Sequence, residues 1–263
     1  MLRLLLLLAP LLAANSFHYG KVRFEPVDAF AYQAEVEGEK APVTIVALTS
    51  YKIDRPAVLA AIEPGQAFYA QAGERGNVVM VTLARPEECR VSGYLASTMQ
   101  SVGLGSFHAK TKTSSTARVA GDCFTDKPGK MFDDEYDFHL SYDVPITAIP
   151  KPSTLPAGGG EPGAHYLALV KAIQTNDWNV AHLRLRPDEV PDKKPDDLKE
   201  YFRGIGLNYP KTATIAGGLL KGDRAQLDLR GVDYDGKKIK GVVALKKAGS
   251  DWRVIDQQFY FTE

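Results

Sequence analysis

The sequence predicts a two-domain chain: a mainly β, sandwich-like N-terminal domain, then an α+β domain with helices packed on one face of an antiparallel sheet. Three observations carry this. Many short strand-like runs punctuated by turn residues fill the first half. A run of four prolines and four glycines, Ile149–Gly163, interrupts the pattern. Three helical stretches and then four strand-like runs come after it.

In order, Met1-Leu2-Arg3 and the apolar run Leu4–Leu12, closed by Ala13-Ala14, read as a signal peptide over residues 1–14. No Cys follows to carry a lipid anchor, so the expected location is periplasmic or secreted, with no membrane span. In that oxidising setting the two cysteines, Cys89 and Cys123, are expected to bond to each other. The 263 residues are 44% hydrophobic and 24% charged with zero formal net charge, which speaks for a globular chain and against nucleic acid as partner.

Residues 15–148 read as the β-rich domain, whose many short strands suggest a sandwich or barrel-like fold. Ala29–Val36 and Pro42–Leu48 read as strands around a turn. Asp54 caps a short helix over Ala57–Ile62, which Pro64-Gly65 ends. Gln66–Gln71, Asn77–Leu83, Cys89–Ser97, Gly105–Lys112, Ala117–Cys123 and Glu135–Tyr142 come next as strands. Residues 149–163 read as a linker, extended in its Pro half and flexible in its Gly half.

The second domain, residues 164–263, opens with a helix over Ala164–Thr175 that places Tyr166, Leu169, Val170 and Ile173 on one side. Asp177 caps a second helix carrying Trp178, Ala181 and Leu185. Asp196–Arg203 is a third, turning Leu198, Tyr201 and Phe202 inward and stopped by Gly204 and Gly206. Thr212–Leu219, Arg224–Val232, Lys238–Lys246 and Trp252–Phe261 form a meander, with Asp233-Tyr234-Asp235-Gly236 as a hairpin turn. Alternation along the last strand puts Trp252, Val254 and Tyr260 on one face and Ile255, Phe259 and Phe261 on the other. Both faces are thus apolar, and one needs a partner.

This order of elements, with Tyr166-Leu167-Ala168-Leu169-Val170-Lys171-Ala172, Asn176-Asp177-Trp178 and the closing Asp251-Trp252-Arg253-Val254-Ile255-Asp256, resembles the nuclear transport factor two-like (cystatin-like) superfamily, and within it small exported bacterial members. The resemblance implies a curved sheet wrapped round the long helix into a cone whose open end holds a small ligand. Tyr166, Val170, Ile173, Trp178, Tyr201 and Phe202 are then the expected lining, an aromatic set poor in titratable groups. It also implies that such a sheet pairs across a homodimer, while the linker leaves the first domain as the rival cover through an interdomain contact.

Catalytic motifs are thin. No Gly-x-Ser-x-Gly elbow, Walker loop or dinucleotide fingerprint occurs. Asp133, Glu135, Asp137 and His139 share a strand face and, with Asp134 and His108, pose a metal-site question, but a solvated face is the simpler reading and no metal or cofactor is expected. Asp233–Gly236 lacks the later ligands of a calcium loop. His165 and His182 are the only helical candidates for a general base, and neither has a sequence neighbour that orients it. Lys237, Lys238, Lys240, Lys246 and Lys247 guard a sheet from aggregation. The expected function is therefore an exported, non-enzymatic protein whose cone binds a small apolar ligand or supports protein contacts. The alternatives are a cofactor-independent isomerase, dehydratase or hydrolase, and a cell-envelope assembly or immunity-type partner.

Overall fold

The computed structural model describes residues 15–36, 38–96 and 100–262, so the signal peptide expected over residues 1–14 lies outside the described residues. The chain is mostly antiparallel β, in two sheets. It divides into two compact units, the change falling between Pro150 and Lys151, with Ala60–Ile62 grouped with the second.

The first unit contains β1 (Ser16–Tyr19), β2 (Val22–Phe24), β3 (Asp28–Ala34), β4 (Val43–Thr49), α1 (Arg55–Ala60), α2 (Pro64–Arg75), β5 (Val78–Arg85), β6 (Glu88–Leu95), β7 (Gln100–Ser114), β8 (Arg118–Phe124), β9 (Gly129–Met131) and β10 (Asp134–Pro145). All its strands belong to one sheet, in the order β2-β1-β10-β8-β7-β6-β5-β4-β3, with β9 also on β10. A sandwich would give two packed sheets; instead one sheet rolls, as the barrel-like alternative has it, until β3 reaches the end of β10, Ala31 bridging Ile146 just past β10 and the Thr147 N–H donating to Ala31 O at 2.8 Å.

Register shifts in β5–β6, β6–β7 and β7–β8 allow the roll, because a bulge adds a residue to one strand and bends it. The enclosed face buries Phe17, Phe24, Val46, Val79, Val91, Phe138 and Leu140. Cys89 of β6 and Cys123 of β8 are bonded to each other, fully buried on this face. Their Cα atoms are 6.1 Å apart although β7 lies between their strands. In a flat sheet, strands two places apart are separated by roughly 9.5 Å. The bond therefore sits where the sheet curls tightly.

The opposite face of β3, β4 and β5 is covered by the helices, with Phe30, Tyr32, Ala47, Val78 and Met80 packing against Val58, Phe68 and Ala72. Asp54 caps α1 through the Ala57 N–H. The stretch Gln66–Gln71, expected as a strand, is part of α2. Pro64 opens that helix rather than ending a preceding one, and Phe68, Gln71 and Ala72 bury at helical spacing. Asp28 ties helix to sheet by accepting from Arg55 Nη1 and Nη2, Ile53 N and Ala29 N.

The second unit contains β11 (Ser153–Leu155), α3 (Gly160–Thr175), α4 (Trp178–Ala181), a 3-10 turn (Pro187–Glu189), α5 (Leu198–Gly206), β12 (Thr212–Lys221), β13 (Arg224–Val232), β14 (Lys238–Ala248) and β15 (Asp251–Phe261). Its sheet is β11-β12-β13-β14-β15, antiparallel throughout. Tyr166, Leu169, Val170 and Ile173 of α3 share one cluster with Leu227, Leu229, Val243, Leu245 and Val254 of the sheet.

The segment 149–163 is not irregular. β11 lies within it, and α3 starts four residues before Ala164. Gly158, Gly159 and Gly160 all have positive φ, a conformation open to glycine, and a Cβ on Gly159 would fall 2.8 Å from Ile215 Cγ2. Pro162 sits in the first helical turn, where no intrahelical donor is lost. These residues form a tight entry to the helix. Further along, α4 is one turn long, leaving Leu185 beyond it yet fully buried, and Gly204 and Gly206 lie inside α5 rather than stopping it.

The pairing of β14 with β15 slips between Ala244/Leu245, where Leu245 faces Val254 and Ala244 faces Asp256. Ile255 is the extra residue. Beyond it the alternation inverts, so Phe259 and Phe261 join Trp252 and Val254 on one face, paired with Gly241 and Ile239, and Tyr260 turns to the other face beside Lys240. The simple alternation is thereby corrected.

The disulfide and Asp28 each give the first unit a measurable signature. A Cys89→Ala/Cys123→Ala double variant is expected to lose roughly 3–4 kcal/mol, from the loop-closure entropy the bond removes from the unfolded chain. Urea unfolding measures this, and an unchanged midpoint refutes it. For Asp28, burial works to raise its pKa, but the hydrogen bonds from Arg55 and from two backbone N–H groups outweigh it and hold the carboxyl below its ordinary 3.8. A lowered folded pKa stabilises fully above the ordinary aspartate range and loses that contribution as pH falls through the folded value. Asp28→Ala should thus cost about 2–3 kcal/mol at neutral pH and flatten the fall of Tm below about pH 4. An acid profile identical to wild type would disprove the assignment.

Candidate functional site

An open groove of about 880 Å³ lies on the first unit. The β5–β6 turn forms one wall with Arg85, Pro86, Glu87 and Glu88. The turn after β8 forms the other with Thr125, Asp126 and Lys127. Between them lie Ser106, Phe107 and His108 of β7, Phe124 of β8 and Tyr136 of β10. Charged turns and an aromatic floor are therefore brought together from stretches far apart in sequence.

Each part is held in place. Phe107 meets Phe138 and Tyr136 edge-on at centroid distances of 4.8 and 5.9 Å. The Tyr136 ring lies over Gly129, where a Cβ would come within 2.4 Å of its Cζ, so only glycine leaves that seat free. The Thr125 hydroxyl bonds to Asp137 Oδ1 and accepts the Phe138 N–H, which pins the second wall. Cys89 and Cys123 are the chain neighbours of Glu88 and Phe124, so the disulfide fixes the roots of wall and floor.

The electrostatics are balanced. His108 Nε2 lies 2.9 Å from Asp126 Oδ2, and Arg85 Nη1 3.4 Å from Glu88 Oε2. Phe124 stands between His108 and His139 on a cross-strand row, with Lys110 Nζ 5.1 Å from its centroid. In the next row Asp122 takes Lys112 Nζ at 2.8 Å and the Ser141 hydroxyl at 2.5 Å. Burial would raise the Asp122 pKa, but Lys112 and Ser141 outweigh it and hold it below the usual range. Of the residues in the metal-site question, Asp137 is engaged by Thr125 and His108 by Asp126. Among the described residues no three His, Cys, Asp or Glu side chains converge as a metal site would need.

The residues expected to line a cone pocket occupy the second unit's interior. Tyr166, Val170, Ile173 and Phe202 are at most 5% exposed and belong to the packed core. Trp178 and Tyr201 are partly buried against it, and Trp178, Tyr201 and Phe202 meet as an aromatic cluster, with His182 stacked on Trp178.

His165 does have an orienting partner, though a distant one in sequence. Its Nδ1 accepts the Trp252 N–H at 3.3 Å and lies 3.2 Å from Asp251 Oδ1, a carboxylate that Arg184 Nη2 already holds at 2.6 Å. His182 Nδ1 is engaged with Trp178 O at 2.7 Å.

Sequence reasoning passed over Glu189, which lies in a charged, Pro-punctuated loop. Its side chain is 7% exposed. It accepts from the Tyr209 hydroxyl and from Asn208 Nδ2, while the Tyr201 hydroxyl reaches its backbone oxygen. The Tyr166 hydroxyl donates to Gln257 Oε1 at 3.3 Å, and Gln257 Nε2 donates to Asn208 O at 2.7 Å. Burial and then the neighbouring Glu189 carboxylate push the Tyr209 and Tyr166 phenols above their ordinary range, so both remain neutral donors. The network secures the loop over the core.

Comparison with protein-family models, curated proteins and solved structures found no match to this chain.

Glu189→Ala should leave the Tyr209 hydroxyl buried without its acceptor and cost on the order of 3 kcal/mol. Asp188→Ala, at an exposed carboxylate, should shift stability by less than about 0.5 kcal/mol. Equal shifts in urea unfolding would show that Glu189 holds nothing in place.

Proposed function

We propose that the protein is an exported, non-enzymatic binding protein and that its ligand sits in the groove of the first unit. The observation that carries this is the groove itself: an aromatic floor, a rim of paired charges and a covalent staple beneath, at the end of a rolled sheet where such folds commonly hold ligands. Export is supported by the apolar run after Arg3 and by the pairing of both cysteines. Among the described residues no helix is long and apolar enough to cross a membrane.

The second unit, in this reading, is a nuclear transport factor two-like α+β domain. Its 16-residue helix against a five-stranded sheet with two bulges supports that fold. Its interior is occupied by its own side chains, which favours a supporting or protein-contact role over an apolar ligand pocket. Contact between two copies through its sheet remains part of the proposal, with exposed Tyr260 on the outer face of β15 as its support. The enzymatic alternative rests on His165 and Asp251, and the Arg184 pairing leaves that carboxylate already neutralised.

Ligand-observed NMR with a mixed library of amino acids, short peptides, fatty acids, nucleosides and oligosaccharides tests the reading. Binding should vanish in Phe124→Ala and persist in Tyr201→Phe. The opposite pattern moves the site to the second unit, and turnover of any compound that is lost in His165→Ala would make the protein an enzyme.

A further inference from the structure

Resting on the reading of the groove as the ligand site, we infer that its ligand is a neutral oligosaccharide. The charge pattern argues first. Arg85 and Lys127 face Glu87, Glu88 and Asp126, and Arg85 and His108 are already paired with carboxylates. A ligand of either sign meets both signs and competes with existing ion pairs. A neutral polyol meets no such opposition: its hydroxyls donate to carboxylates and accept from imidazole and guanidinium, and these groups can take further hydrogen bonds without separating.

The floor argues second. Phe107 and Tyr136 share one face of the sheet, edge against ring, while Phe124 lies on the other face beside His108, and all three are half-buried beside polar groups. A sugar ring has one face of C–H groups and an edge of hydroxyls, which matches an aromatic surface rimmed by carboxylates, imidazole and hydroxyls.

Pairing of the strands limits the rival occupant, an extended peptide, to one edge. Glu88 is paired with both Arg85 and His108, Phe124 with both His108 and His139, and Tyr136 with both Tyr19 and Gly129. Ser106 and Phe107, in contrast, are paired only with β6, which leaves that edge of β7 as the one place in the groove for an extended peptide to add a strand, the rival that the decapeptide tests.

The test uses calorimetric titration of the mature full-length chain with cellotriose, maltotriose, xylotriose and chitotriose, alongside trigalacturonate and a proline-rich decapeptide. At least one neutral trisaccharide should bind with a Kd nearly unchanged between about 0.05 and 0.5 M salt, since no net charge is screened. Phe124→Ala and Asp126→Asn should each weaken it roughly ten-fold. Should Phe124→Ala fail to fold, Tyr136→Phe keeps the ring, removes one hydroxyl and should still weaken binding several-fold. Binding of trigalacturonate or the decapeptide alone, lost in Phe124→Ala, overturns the saccharide class and leaves the groove reading standing. Trisaccharide binding unmoved by all three variants overturns the groove reading itself. Failure of all four neutral trisaccharides at millimolar concentration also overturns the saccharide class.

Discussion

An antiparallel sheet that must bury one face has to curl, and the inserted residues that make it curl shape both units of this chain. In the first unit, three register shifts and the covalent tie between Cys89 and Cys123 bring strands two places apart closer than a flat sheet permits. The roll lets Ala31 reach Ile146 and encloses Phe17, Phe138 and Leu140. It also places Phe107 and Tyr136 edge to face and draws the turn at Arg85–Glu88 opposite the turn at Thr125–Lys127. The groove is thus a by-product of curvature.

Much of the fold was legible because it rests on local signals. The strand runs of both units, the Asp54, Asp177 and Asp197 regions as helix starts, and the hairpin turn at Asp233–Gly236 all carry their cause within a few residues. What escaped depends on residues outside the local window. Gln66–Gln71 alternates well enough to pass for a strand, and only the burial of Phe68 and Ala72 against β3 and β5 shows the helical face. The glycines at 158–160 look like slack until Ile215 and Leu227 are seen pressed against Gly159. The bulge at Ile255 has no glycine or proline beside it, so the inversion of faces there cannot be read from β15 alone.

The sites divide along the same line. Helical spacing correctly gathers Tyr166, Val170 and Ile173 on one side, but spacing shows only that a face is apolar. Whether that face lines a hollow or fills one depends on what packs against it, and here Leu227, Val243 and Val254 do. Glu189 reads as one more charge in a polar loop because its phenolic partner Tyr209 lies 20 residues on. The groove was less legible still. Its twelve lining residues come from four separate stretches, none with a motif, and its floor is visible only once β7, β8 and β10 lie side by side.

The two units use aromatic side chains in opposite ways. A tyrosine taken fully out of water needs a partner for its hydroxyl, and Tyr166 and Tyr209 find theirs in Gln257 and Glu189, which closes the second unit's interior around itself. At the groove the rings stop half-buried, with their surroundings fixed by Gly129, by the Thr125 bonds and by the disulfide. A surface whose shape is set before a ligand arrives loses little further entropy on binding. That asymmetry favours recognition on the rolled sheet, because stability in the second unit requires its aromatic and polar groups to satisfy one another, whereas at the groove they are positioned yet still open to solvent.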